Sequence, residues 1–358
     1  MRKSRLLTLV FAFTLVAAFP AGATPVAPTC SGTPYIVVVG GSAAGGTTST
    51  SDVRQYDPVA DVMTTLTTDP WPGNTDGATL PGGAAVLGNK LYVFGGFDIG
   101  IGMTSAIYRF DPAAAAGSRW TTMTATLPNP IGYIPTAASG SLIYLVGGSG
   151  FAGGTLTDTT ESSSYDPVAD VIALITTIPR ATGETRAVTA PDGSIWVLGG
   201  GRVAPNPSNE VDVYDPVGNA WSLGPPFSTA RRNFPAGIDP VVGTIWATGG
   251  YDTSGTTLLA INEQFNPPGT WATRTSAPSP IVRAWGAFFP SNGKFYLMGG
   301  RSADAAGTDF TQVNIYDPVL DSWSMSTATF SDGQVNNMVG GVTCIVTDRI
   351  FADGFDGP

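Results

Sequence analysis

Six times along the chain a short run of β-branched and aromatic residues stops at a pair of glycines. The runs are Tyr35 to Val39, Leu91 to Phe94, Leu142 to Val146, Ile195 to Leu198, Ile245 to Ala247 and Phe295 to Met298. The doublets are Gly40-Gly41, Gly95-Gly96, Gly147-Gly148, Gly199-Gly200, Gly249-Gly250 and Gly299-Gly300, spaced by 55, 52, 52, 50 and 50 residues. Apolar runs of this length, rich in residues that suit a pleated surface, predict strands buried on both faces. Glycine at the strand end permits positive φ and close backbone approach. Downstream of each doublet stands an aromatic-acid-proline step: Tyr56-Asp57-Pro58, Phe110-Asp111-Pro112, Tyr165-Asp166-Pro167, Tyr214-Asp215-Pro216, the variant Phe265-Asn266-Pro267, and Tyr316-Asp317-Pro318. There Pro presets φ and the carboxylate accepts local backbone donors, which is turn chemistry. A large apolar plate follows at Trp120, Trp221, Trp271 and Trp323, with Met63 and Ile172 in the same slot of repeats one and three. These plates are expected to pack between neighbouring units.

Three coupled signatures recurring in order at a period near 50 residues resemble the Kelch repeat family, and the resemblance runs from Tyr35 to about Cys344. It implies an all-β fold: a six-bladed Kelch β-propeller with four antiparallel strands per blade. The first repeat lacks the strand that precedes the doublet strand elsewhere, and the chain end supplies a matching fragment, Val335 to Cys344. We therefore expect the C-terminal strand to complete blade one and close the ring, leaving no exposed edge. In that arrangement the covalent hairpin of the other blades is cut, and Cys30 faces Cys344. A disulfide there is expected to replace the hairpin and to contribute about 4 to 5 kcal/mol in the chain-entropy model.

The domain boundaries follow from the ends. A basic start (Arg2, Lys3, Arg5), an apolar stretch from Leu6 to Ala18 and small residues at Ala21-Gly22-Ala23 predict a secretory signal peptide over 1–23. Residues 24–345 form the propeller and 346–358 a tail, whose Ile-Phe-Ala-Asp-Gly-Phe run resembles a terminus found on exported bacterial proteins. The expected location is periplasmic or extracellular. No run approaches the length of a membrane span. Composition adds that the chain is acidic, with 17 Lys and Arg against 27 Asp and Glu, which argues against nucleic acid as partner.

The chain contains no histidine. That removes the usual imidazole base and metal ligand, and with them copper chemistry of the galactose oxidase type, a Ser-His-Asp triad and His-based zinc sites. No cofactor is expected. Of the four glutamates, Glu161, Glu210 and Glu263 precede the turn step on what is expected to be a solvated strand, and only Glu184 leads into an inner strand.

Segments after the doublets and segments entering the inner strands emerge on one side of a propeller, opposite the Asp-Pro turns. They carry Phe97, Asp98, Arg202, Tyr251, Asp252 and Arg301 in the first set and Glu184, Arg186, Arg231, Arg232 and Arg283 in the second. Arginine pairs carboxylates bidentately, so Arg186, Arg202, Arg231, Arg232, Tyr251, Asp252, Arg283 and Arg301 are the candidate ligand-binding residues. The expected function is a secreted monomeric binding protein that recognises a protein or glycan ligand, acidic in character, with no catalytic set evident. The alternative is similar to the exported six-bladed Kelch mutarotases of sialic acid (N-acetylneuraminate epimerase type). Glu184 and Arg186 echo the acid-base and carboxylate-binding residues of those enzymes, but their long insertions are missing.

Overall fold

The structure, a computed structural model, describes residues 32–98, 102–152, 155–201 and 207–345. Among them six four-stranded antiparallel sheets follow one another around an axis. Counted outward from the axis, blade two runs Thr79–Leu87, Lys90–Asp98, Gly102–Phe110 and Trp120–Thr126. Blade four runs Arg186–Thr189, Ile195–Gly200, Ser208–Asp215 and Ala220–Gly224, and blades three, five and six repeat the order. Blade three adds a small hairpin, Ser149–Ala152 with Thr155–Asp158.

Blade one is assembled from both ends of the chain. Val339–Ile345 pairs antiparallel with Thr33–Val39, from Val39 opposite Val339 to Thr33 opposite Ile345. The expected closure by the C-terminal strand is therefore present. Cys344 stands opposite Pro34. Cys30, like the expected signal peptide, Arg202 and the tail, lies outside the described residues.

The apolar runs are nearly continuous because each doublet strand has a blade on either side. Ile36 and Val38 point to blade six, among Phe289, Tyr296, Met298 and Val313. Val37 and Val39 point to blade two, among Leu91, Val93, Phe110 and Trp71. The core is thus six wedges, one between each pair of neighbouring blades. Full burial of each such side chain stabilises by roughly 1.5–3 kcal/mol.

The expected turn chemistry is visible atom by atom. The Asp57 carboxylate accepts the N–H groups of Val59 and Ala60 at 2.8 and 3.0 Å, and Asp166 and Asp317 repeat this. Trp120, Trp221, Trp271 and Trp323 stand opposite Phe110, Tyr214, Phe265 and Tyr316, the slot Met63 and Ile172 fill elsewhere. Each indole N–H also donates to a carbonyl of the preceding blade: Asp69, Thr176, Pro225 and Thr275 respectively.

Candidate functional site at the mouth of the propeller

The two sets of segments do meet on one face. Arg232 and Tyr251 exchange backbone hydrogen bonds of 3.1 and 2.8 Å, and Val282 and Arg301 do the same at 3.1 and 3.0 Å. The glycine doublets permit this closeness. Gly249 has φ of 66°, and a Cβ there would sit 2.1 Å from the Ile281 carbonyl oxygen; at Gly250, with φ of 99°, it would meet the Arg232 oxygen at 2.7 Å. No side chain fits between the two layers.

Inside this layer runs a ring of residues held in the left-handed region, Tyr133, Glu184, Asn233, Arg283 and Asn337, with φ between 51° and 58°. The last four each donate an N–H to the carbonyl of the one before: Glu184 to Tyr133 at 3.3 Å, Asn233 to Glu184 at 2.6 Å, Arg283 to Asn233 at 2.8 Å and Asn337 to Arg283 at 2.9 Å. The corresponding position of blade two is Pro81, opposite Gly96. Proline has no N–H to give and cannot take positive φ, so the ring opens there. The left-handed backbone costs non-glycine residues about 1–2 kcal/mol each, borne here at the one circle where five blades present side chains to a common mouth.

The charged part of the mouth is built around Tyr251, which is buried. The Arg232 guanidinium lies 5.3 Å from the Tyr251 ring centre and that of Arg283 5.8 Å. Arg301 donates to the Tyr251 hydroxyl at 2.8 Å and to Asp304 at 2.5 Å, and the same hydroxyl donates to Asp304 at 2.5 Å. Arg232 is ion-paired to Glu184, whose side chain is fully buried. Arg283 has no carboxylate at ion-pair distance among the described residues. Its Nη1 reaches only the Asn337 Oδ1 at 3.4 Å, and its Nε–H finds no acceptor. Burial pushes the Arg283 pKa down, but Tyr133, Glu184 and Tyr251 more than offset this and the net shift is upward. The mouth therefore holds a fixed cation with no carboxylate at ion-pair distance among the described residues. On its other side Phe97 packs near Tyr133 and Phe151, with ring centres 6.0 and 5.8 Å apart.

Several candidate residues lie elsewhere. Arg231, adjacent to Arg232, points into the blade instead of the mouth: it is fully buried, paired with Glu263, and held between Phe227 and Phe234 at 4.7 and 5.2 Å. Successive residues of an extended chain face opposite ways, so only one of two adjacent arginines can face a ligand. Glu263, expected on a solvated face, is its buried counterion. Arg186 faces the axial channel below the ring. Asp252 is turned into its own loop, where it accepts from Ser254 N–H at 3.0 Å. Asp98 sits away from the arginines, where burial and Asp76 raise its pKa. The mouth arginines are largely covered, the side chains of Arg232 and Arg301 being only 15% and 14% accessible. Tyr133, Asn233, Asn337 and Asp304 escaped notice in the sequence. The first three recur at blade intervals but share a backbone angle, not a chemistry. Among the described residues no group of three or more Cys, Asp or Glu is placed to hold a metal ion. No helix there is long and apolar enough to cross a membrane.

A model of the Kelch motif matches residues 185–228, which run from just after Glu184 through the whole of blade four. The chain is 27% identical over 155 residues to the mouse protein "Kelch-like protein 35", covering 43% of this chain and 25% of that one. It is 29% identical over 159 residues to an F-box/kelch-repeat protein of Arabidopsis thaliana, covering 42% and 40%. The chain thus spans well under half the length of these relatives. A solved structure described as "Structure of YjhT" superposes with a TM-score of 0.59 at 14% identity, covering 78% of this chain and 97% of that one. That likeness is one of fold.

Proposed function

We propose that this propeller of Kelch repeats is an exported ligand-recognition protein whose mouth binds a carboxylate-bearing protein or glycan. The observation that carries this reading is Arg283. A cation is fixed on the mouth ring by a left-handed backbone, beside Tyr251, with no carboxylate at ion-pair distance among the described residues and an Nε–H left over. Its neighbours Arg232 and Arg301 are already engaged and serve to position Tyr251 and Glu184. An incoming carboxylate supplies what Arg283 lacks, and bidentate pairing gives it direction.

The mutarotase-type alternative needs Glu184 to pass a proton. Its carboxylate is instead pinned in a buried ion pair with Arg232, which favours binding over acid-base work.

The test is a binding screen of anionic glycans and acidic peptides against the mature protein, repeated with Arg283→Asn. Asparagine tolerates the left-handed backbone, so the substitution removes the cation without adding strain. Affinity is expected to fall roughly tenfold or more, as for loss of a charge-assisted pair. A ligand whose affinity ignores Arg283→Asn but responds to substitutions at the Asp-Pro turns places the binding surface on the opposite face and overturns the reading.

A further inference from the structure

Below the mouth ring the innermost strands of all six blades enclose an axial cavity of about 300 Å3. Its wall is mostly apolar, with Ala84, Pro135, Ala236, Trp285 and Val339 beside a few threonines. Among the described residues one ionisable side chain lines it, that of Arg186. Arg186 begins the inner strand of blade four, and its Nη2 donates across the axis to the Ala284 carbonyl entering blade six at 2.9 Å. Its Nη1 meets the carbonyl of Thr185 at 3.4 Å. The Nε–H is buried and has no acceptor, and no carboxylate stands within ion-pair distance among the described residues. Burial alone, with no compensating partner, pushes its pKa down to about 10.

A guanidinium in such a place is a costly choice. Arg186 is partly buried, and holding its charge away from much of its water without a counterion has a cost that two carbonyl bonds recover only in part. A neutral amide would serve those carbonyls as well. The stranded charge fits a partner that comes from outside the chain. Each innermost strand pairs on one side only, so its other edge turns backbone N–H groups toward the same axis and adds donors.

From this juxtaposition we propose that the axial cavity is a binding site for one small monovalent anion, a halide or a one- or two-carbon carboxylate, held on the guanidinium of Arg186. One positive charge neutralises one negative charge. A dianion would keep one negative charge uncompensated beside Arg186, so sulfate serves as the background anion of the test. The site is separate from the mouth, where Arg283 faces larger ligands.

The experiment is thermal unfolding of the mature protein in sulfate medium, titrated in separate arms with bromide and with formate at constant ionic strength. A saturable rise in Tm is expected in at least one arm, and the arm that responds identifies the source. In Arg186→Met, which keeps the volume and removes the charge, the response is expected to vanish, with affinity weakened roughly thirtyfold or more. Arg186→Gln serves if the methionine variant does not fold. An independent arm is a bromide-soaked crystal, where an anomalous peak is expected beside the guanidinium. No response in either arm, an equal response in the Arg186 variants, or bromide found only at the outer surface overturns the proposal.

Discussion

Arg232 and Glu184 set the terms at the scale of single residues. Because Glu184 is fully buried and ion-paired with Arg232, removing the arginine takes a neighbouring positive charge away from a buried carboxylate. Arg232→Ala is expected to destabilise by about 3–5 kcal/mol. The double variant Arg232→Met with Glu184→Gln should recover much of that, and chemical denaturation of the single and double variants measures the difference. Asp212 gives a pH signature of the opposite kind. Burial, with a smaller push from Glu210, outweighs the attraction of Arg180 and raises its pKa to about 6. Between about pH 4 and pH 6 the folded chain then holds a proton the unfolded chain has lost, so this group's contribution falls as pH rises through that window and stays low above it. Asp212→Asn should gain stability relative to the native protein across the same window, on the order of 2 kcal/mol by pH 7. A difference between the two that does not change with pH would remove the raised pKa from the account.

The blades are tied at the scale of elements by a device that the sequence half discloses. The tyrosine of each Tyr-Asp-Pro step donates its hydroxyl to a residue five positions on: Tyr56 to Asp61 at 2.9 Å, Tyr165 to Asp170 at 2.9 Å, Tyr214 to Asn219 at 2.8 Å and Tyr316 to Asp321 at 2.6 Å. That acceptor then takes backbone N–H groups from the outer strand region of the preceding blade, as Asp170 does from Thr124 at 2.8 Å and Asp321 from Thr275 at 3.0 Å. Asp61 does this for Thr327 of blade six, at 2.6 Å, and so locks the last blade to the first. Asp61→Ala is expected to cost about 1–3 kcal/mol, since it leaves a buried tyrosine hydroxyl and two backbone donors short of a partner. Tyr56→Phe removes one bond and leaves no orphan donor, so it should cost about 1 kcal/mol, and the two midpoints in urea distinguish them. The repeat was legible because backbone constraints write themselves as residue types: a doublet at positive φ demands glycine and a turn favours Asp-Pro. The mouth was legible only as a face. Tyr133, Glu184, Asn233, Arg283 and Asn337 share one φ and five side-chain choices, so no motif marks them. Whether Arg231 or its neighbour Arg232 turns inward depends on a register that a shift of one residue inverts.

Closure is the property of the whole molecule, because losing the innermost strand of blade one uncovers the apolar strand Thr33–Val39 that it covers. The closing segment contributes more than a strand. Val335 and Met338 are buried in the wedge between blades six and one, Asn336 bonds to both Ser42 and Asp309, and Asn337 is the last member of the mouth ring. A chain ended at Ser331 loses all of these together with the seven register pairs from Thr33 opposite Ile345 to Val39 opposite Val339. It leaves Thr33–Val39 as a long apolar edge, the form of edge most prone to pairing with another chain. Such a truncation is expected to accumulate as aggregate, whereas a chain ended at Ile345 keeps every described strand and is expected to remain soluble. Light scattering during refolding, with the Trp fluorescence of the soluble fraction, reads both outcomes. A soluble, cooperatively unfolding protein ending at Ser331 would show that five complete blades and part of a sixth can seal their own edges, and would reduce the C-terminal strand from a closure to an ornament.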